Sequence, residues 1–172
     1  MILIVDLCWK KDSLSSEEFV KPIERIVKSD GKSVRVVHYS EINEPIVSQA
    51  EAVILCGTAV ADNDFLNHDF SWIKRKEKVF GICAGMQVIA KAFGGEIINK
   101  KEIGMTEIKC NDGIFEKEKL SVYQLHGNST TLPDGFSEIA SNCNAFKKGK
   151  IYGIQFHPEV RNEHILINWL KL

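Results

Sequence analysis

The sequence predicts an α/β fold around a mostly parallel sheet, and three observations predict it. Short apolar runs recur through the first half: MILIVDL (1–7), VRVVHY (34–39), AVILCG (52–57) and KVFGI (78–82). Helix-type segments separate most of them. The runs at 1–7 and 52–57 are apolar at nearly every position, as strands covered on both faces must be.

The elements follow in order. After the first strand, Ser15 and Glu18 stand in capping-box spacing and open a helix through FVKPIERIVKSDG. Pro22 inside that pattern starts the helix later or kinks it, and Gly31 closes it. The strands at 34–39 and 52–57 come next. DFLNHDFSWIKRKEK (64–78) reads as an amphipathic helix, then KVFGI as a strand and AGMQVIAKAF as a helix. From Glu96 the texture changes. EIINKK, GMTEIKC, SVYQLH, FSEIAS and KIYGIQFH read as strands joined by turns at AsnAspGly 111–113, ProAspGly 133–135 and LysLysGly 147–149. The C-terminal half is therefore expected to add antiparallel strands, and EHILINWLKL to end as a helix. Residues 1–172 read as a single domain, without repeat, low-complexity segment or linker.

Composition narrows the function classes. Hydrophobic residues make up 44% and charged residues 26%, with a net charge of −1. No polyanion or anionic membrane surface is indicated, so neither nucleic acid nor membrane is expected as a partner. The longest apolar runs are too short to span a bilayer, and the N-terminus carries no basic leader. Five cysteines, an odd number without CxxC spacing, argue against a disulfide framework or zinc site. A cytoplasmic protein without a metal is expected.

The chemistry centres on KVFGICAGMQVIAKAFGG (78–95). Gly81 and Gly85 flank Cys83 at two residues on either side, between a strand and a helix start. This is the pattern of a nucleophile elbow, a turn so tight that side chains at the flanking positions collide or the backbone strains. Such a turn puts the thiol at the carboxyl end of a strand and at a helix N-terminus, where thiolate is favoured. A cysteine is otherwise a small core hydrophobe, the reading given to Cys8, Cys56, Cys110 and Cys143. A thiol that breaks an amide needs a base and the base an orienter. In IYGIQFHPEV, His157 and Glu159 flank Pro158 just past a strand. Alone, His-Pro-Glu is equally a turn. His38, His68 and His164 read as structural.

Together, GICAGMQ and QFHPE, about 70 residues apart, resemble the class I (triad-type) glutamine amidotransferases. The resemblance covers nearly the whole chain and implies a flavodoxin-like central sheet. It also implies Cys83 as nucleophile on the glutamine side-chain amide, His157 as base and acid, and Glu159 as orienter. Backbone N–H groups of Gly57 and Ala84 are implied as the oxyanion hole, and Gln87 as part of the pocket wall. YQLHGNSTTLPDGFSEIA (123–140) resembles a stretch of the glutaminase part of GMP synthase, which implies that His126, Gly127 and Asn128 hold the amino-acid end of glutamine. Departures occur. CysGlyThrAla (56–59) stands where a Ser-Gly-Gly-Pro-like run is usual, Leu125 where serine is usual and Asn128 where aspartate is usual. Weaker oxyanion stabilisation or a loop that a partner must set is expected from the first, and weaker glutamine affinity or an altered ligand from the others. DLCWKKDSLSSEEF (6–19) is longer and more charged than the family's first turn.

The resemblance implies a glutaminase whose L-glutamine-derived ammonia serves a separate ATP-dependent synthetase subunit, with xanthosine monophosphate as the expected acceptor and anthranilate-type synthesis as the alternative. No cofactor is expected in this chain, ATP and Mg belonging to the partner. A γ-glutamyl hydrolase or peptidase and a non-catalytic regulatory subunit are the competing readings.

Overall fold

The computed structural model describes residues 1–172. Nine strands and six α-helices form one α/β body. In chain order they are β1 (Ile2–Asp6), α1 (Leu14–Phe19), α2 (Lys21–Ser29), β2 (Val34–His38), α3 (Glu44–Gln49), β3 (Ala52–Leu55), β4 (Lys78–Ile82), α4 (Ala84–Ala92), β5 (Ile97–Lys109), β6 (Lys119–Thr130), β7 (Ser137–Ala140), β8 (Ala145–Lys148), β9 (Lys150–Ile154), α5 (Pro158–Arg161) and α6 (His164–Leu170).

The main sheet runs β2-β1-β3-β4-β9-β8-β7. Its first five strands are parallel, and β8 and β7 extend it antiparallel. The parallel part has the flavodoxin-like order, with ligand sites expected beyond the carboxyl ends of the strands. β5 and β6 form a separate two-stranded antiparallel ribbon. The expected mostly parallel sheet with an antiparallel C-terminal half is what the chain forms.

Strand alternation builds two cores. Ile2, Ile4, Ile54, Phe80 and Ile154 face one side, where Phe19, Ile23 and Trp169 cover them. Leu3, Val5, Val53, Leu55 and Val79 face the other, under Ile46, Met86, Ile89 and Trp72. Both faces are buried, which is why these strands read as unbroken apolar runs.

Several elements differ from the sequence reading. The helix expected from Ser15 is two helices. Ser13, not Ser15, caps the first, its side chain accepting from Ser16 N at 3.3 Å. Pro22 then stands in the first turn of α2, where a missing N–H costs nothing. The helix expected over 64–78 is instead two 3₁₀ segments, Asp64–Asn67 and Ser71–Arg75. Asp69 interrupts them: its Oδ1 accepts from Ser71 N at 2.8 Å, a local turn that competes with the helix. α3 has no counterpart in the sequence reading; Asn43 caps it and Pro45 sits in its first turn. EIINKK and GMTEIKC are one strand, β5, and SVYQLH continues through GlyAsnSerThr as β6. β8 (Ala145–Lys148) is a further addition, and it takes Lys147 and Lys148 of the expected LysLysGly turn into the strand. It closes a hairpin onto β9 with Gly149 at φ +58°.

Candidate active site

Strands of the main sheet deliver the site from their carboxyl ends. Ile82 leads directly into Cys83, which precedes α4 with φ 50° and ψ −100°. For a residue with a Cβ this is a strained conformation. The flanking glycines have ordinary φ values and are needed for close approach. A Cβ on Gly81 would lie 2.5 Å from the Gly85 backbone, and one on Gly85 would lie 2.2 Å from the Leu55 carbonyl oxygen. The strain is concentrated at the cysteine, and the glycines let α4 press onto β3 and β4. Cys83 N donates to Ile154 O at 2.8 Å, tying the elbow to β9.

His157 follows β9, and Pro158 opens α5, so the imidazole and Glu159 turn toward each other. His157 Nδ1 donates to Glu159 Oε1 at 2.7 Å, and both side chains are almost wholly buried, 1% and 3% exposed. Burial alone would lower the imidazole pKa; the Cys83 sulfur and the Glu159 carboxylate outweigh it and hold it well above its ordinary value. His157 Nε2 is buried and makes no hydrogen bond. The Cys83 thiol donates to Leu125 O at 3.6 Å, and Gln155 Nε2 approaches Sγ at 3.9 Å.

Gly57 and His157 meet. A Cβ on Gly57 would lie 2.6 Å from His157 Cε1, so glycine here makes room for the ring. The N–H groups of Gly57, Thr58 and Ala84 make no hydrogen bond within the chain, leaving donors beside the elbow. Thr58, rather than Gly57, is the first residue of its loop to line the cleft next to Cys83. That loop is fastened by Asp62, whose Oδ2 accepts from Thr58 Oγ1 at 2.8 Å and from Trp9 N at 3.1 Å.

The cleft over Cys83 runs between the 58–63 loop, Gln87 and the 125–128 stretch of β6. It is narrow because its two walls are joined: Asn128 Nδ2 donates to Asn63 Oδ1 at 3.0 Å, and Gln87 Nε2 donates to Asn128 O at 3.4 Å. Gly127 backs onto Val60. His126 lies on a strand rather than in a turn. Its Nδ1 donates to Lys100 O at 2.9 Å and its Nε2 faces Glu102 at 3.3 Å. Burial lowers its pKa, and the Glu102 carboxylate only partly offsets this.

The structure thus brings together Cys83, His157, Glu159, Ala84, Gln87, His126, Gly127 and Asn128, with Gly57 behind the imidazole. Sequence reasoning missed Gln155, Thr58, Asp62, Asn63 and the Leu125 carbonyl. Gln155 lies inside the quoted QFHPE; the Asp62 and Leu125 contacts leave no local signal, because they join distant segments.

Three comparisons place the chain. Residues 14–170 match the family described as glutamine amidotransferase class-I. GMP synthase (glutamine-hydrolysing) of Borreliella burgdorferi strain N40 is 33% identical over 159 residues, covering 83% of this chain and 31% of that protein. The Helicobacter pylori strain G27 enzyme of the same name is 32% identical over 174 residues, 93% of this chain and 33% of that protein. The chain spans about a third of the length of these relatives. A crystal structure from Thermoplasma acidophilum, provisionally described as one of the subunits of GMP synthase, superposes with a TM-score of 0.83 at 25% identity, covering 99% of this chain and 92% of that one. A glutamine amidotransferase structure from Thermotoga maritima shares the fold, with a TM-score of 0.72 at 22% identity over 99% of this chain and 80% of that one. The chain belongs to the class-I glutamine amidotransferase family.

Proposed function

We propose that this chain is the glutaminase subunit of a GMP synthase, hydrolysing L-glutamine and passing ammonia to a separate ATP-dependent synthetase subunit that aminates xanthosine monophosphate. The buried Cys83–His157–Glu159 arrangement carries the reading. The curated relatives and the Thermoplasma protein support the acceptor.

Cys83 transfers its proton to His157, and the thiolate attacks the glutamine Cδ. The carbonyl oxygen becomes an oxyanion beside the free N–H groups of Ala84 and the 57–58 loop. His157 gives its proton to the departing nitrogen, which leaves as ammonia, and a γ-glutamyl thioester remains. Water attacks the thioester while His157 takes a proton from it, and returning that proton to sulfur releases glutamate. Glu159 holds the Nδ1–H tautomer and stabilises the imidazolium throughout. Gln87, His126, Gly127 and Asn128 form the wall that receives glutamine. ATP and Mg act in the partner; this chain supplies none of that chemistry.

Glutamate release from glutamine tests the proposal, measured on the chain mixed with the same organism's protein that matches the two thirds of the curated GMP synthases lying outside this chain. Glutamate formation that requires Cys83 and is matched by xanthosine monophosphate amination is expected. Hydrolysis unaffected by Cys83→Ala would refute the mechanism. γ-Glutamyl peptide cleavage by the chain alone would favour a peptidase instead, a reading the narrow, bridged cleft opposes.

A further inference from the structure

One carboxylate lines the cleft over Cys83. Of the residues there, Asp62 is the only aspartate, glutamate, lysine or arginine. Its Oδ2 is committed, accepting from Thr58 Oγ1 at 2.8 Å and from Trp9 N at 3.1 Å. Its Oδ1 accepts from no group of the chain, and Asp62 belongs to no ion pair. A carboxylate left without a cation beside a nucleophile is complemented by a ligand that brings the cation.

Two ties set its position. Thr58, which donates to Asp62, is also a residue whose own N–H is free beside the elbow. Asn63, the next residue, accepts from Asn128 on the facing wall at 3.0 Å. The carboxylate is thus fastened to the loop that carries the oxyanion donors and adjoins the bridge that closes the cleft. In glutamine the α-nitrogen is four bonds from the carbon that Cys83 attacks, about 5 Å away with bonds near 1.5 Å. The amides of the lining offer a cation less. Asn63 Oδ1 is already taken by Asn128, and Gln87 Oε1, buried without a partner, is a neutral acceptor.

We propose that Asp62 is a specificity-determining residue that receives the α-ammonium of glutamine, Oδ1 accepting from it while Oδ2 keeps its bonds to Thr58 and Trp9. This rests on the glutaminase reading above. The ligand class is a γ-amide with an uncapped α-ammonium. A compound in which that group is missing or acylated loses a charge-assisted hydrogen bond and leaves Oδ1 unpaired. The α-nitrogen takes no part in the exchange of bonds, so the contact is the same in bound substrate and transition state. It therefore acts on KM rather than on kcat. Trp9 N comes from the long loop after β1, which gives that loop a part in substrate selection.

The test times the labelling of Cys83, read by intact mass, with two diazoketones. One is 6-diazo-5-oxo-norleucine; the other, 6-diazo-5-oxohexanoic acid, is the same molecule without the α-ammonium. Wild type, Asp62→Asn and Asp64→Asn are compared in the presence of the synthetase subunit. Asparagine at 62 keeps an oxygen for Thr58 and Trp9 and removes the charge. Asp64, exposed and outside the cleft lining, controls for charge at a distance. The wild type and Asp64→Asn are expected to label about tenfold or more faster with the norleucine reagent. Asp62→Asn is expected to slow that reagent alone, bringing the two rates within about twofold, and to raise KM for glutamine about tenfold. Its unchanged rate with the second reagent reports an intact cleft. Equal rates with the two reagents in the wild type, or a preference that Asp62→Asn retains, would overturn the proposal. Equal slowing with both reagents would also overturn it, leaving Asp62 as a fastener of the loop, and so would an equal loss of preference in Asp64→Asn. A wild type that labels with neither reagent, while iodoacetamide reaches Cys83, would instead overturn the glutaminase reading on which the proposal rests.

Discussion

Replacing Gly57 with alanine separates the oxyanion role implied by the sequence from the seating of the imidazole found in the structure. Alanine keeps the backbone N–H, so an oxyanion role survives the change. The new methyl lies 2.6 Å from His157 Cε1 and 3.5 Å from Phe19 Cδ1. Ordinary contact begins near 3.4 Å, so the ring and the loop must separate by about 0.8 Å. His157 has little freedom to yield: its ring is fixed by Glu159 at 2.7 Å, its N–H by Tyr123 O at 3.0 Å, and Phe19 packs against it with centroids 5.6 Å apart. Overpacking of this kind costs about 1–3 kcal/mol of stability, and a displacement near 1 Å costs about 100-fold in rate. The assay is kcat/KM for glutamine hydrolysis with the partner present, alongside the thermal midpoint. Gly113→Ala, where a Cβ meets nothing within 4 Å, is the control and should leave kcat/KM unchanged. A Gly57→Ala protein that is folded and active within twofold of wild type would refute the claim that glycine is required there to seat the imidazole.

Three other contacts yield predictions of their own. Asn63→Ala removes the bond that joins the cleft walls; one hydrogen bond is worth about 1 kcal/mol, so Cys83 in the isolated chain should label about fivefold faster, and an unchanged rate would show that the bond does not restrict entry. Glu159→Gln withdraws a group that raises the His157 pKa. Because that pKa lies above its unfolded value, the pairing stabilises the fold fully below about pH 6.5 and is lost as pH rises through the folded pKa. The difference in thermal midpoint between wild type and Glu159→Gln should therefore be largest in acid and shrink in alkali, and the opposite trend would contradict the assignment. Trp169→Ala empties a fully buried site where the indole packs 5.1 Å from Phe80 and donates to Lys150 O; urea unfolding should show a loss of about 3–5 kcal/mol, and less than 1 kcal/mol would mean that α6 is not part of the main core.

What the sequence discloses and withholds has a physical pattern. The strands of the parallel sheet are legible because both faces are buried, and Cys83 and His157 because a strained elbow and a proline-fixed turn leave local signatures. The 64–78 segment misleads because its apolar spacing suits a helix, while the side chain of Asp69 captures Ser71 N and breaks it. The continuation of β6 through Gly127 and Asn128 is concealed by turn-type residues, which pair with β5 across a register shift between Asn99 and Glu102. The reading of Gly57 changes for a similar reason: its contact with His157 spans 100 positions of chain. The closure of the cleft by Asn63 and Asn128 depends on a tertiary approach that no local pattern encodes.

The most direct test of the central claim, that Cys83 attacks glutamine from this cleft, is intact mass after exposure to 6-diazo-5-oxo-norleucine, with Cys83→Ala alongside. The account predicts one adduct on the wild type in the presence of the synthetase subunit, suppressed by glutamine and absent from Cys83→Ala. No adduct under those conditions, while iodoacetamide still reaches Cys83 in the same sample, would contradict it.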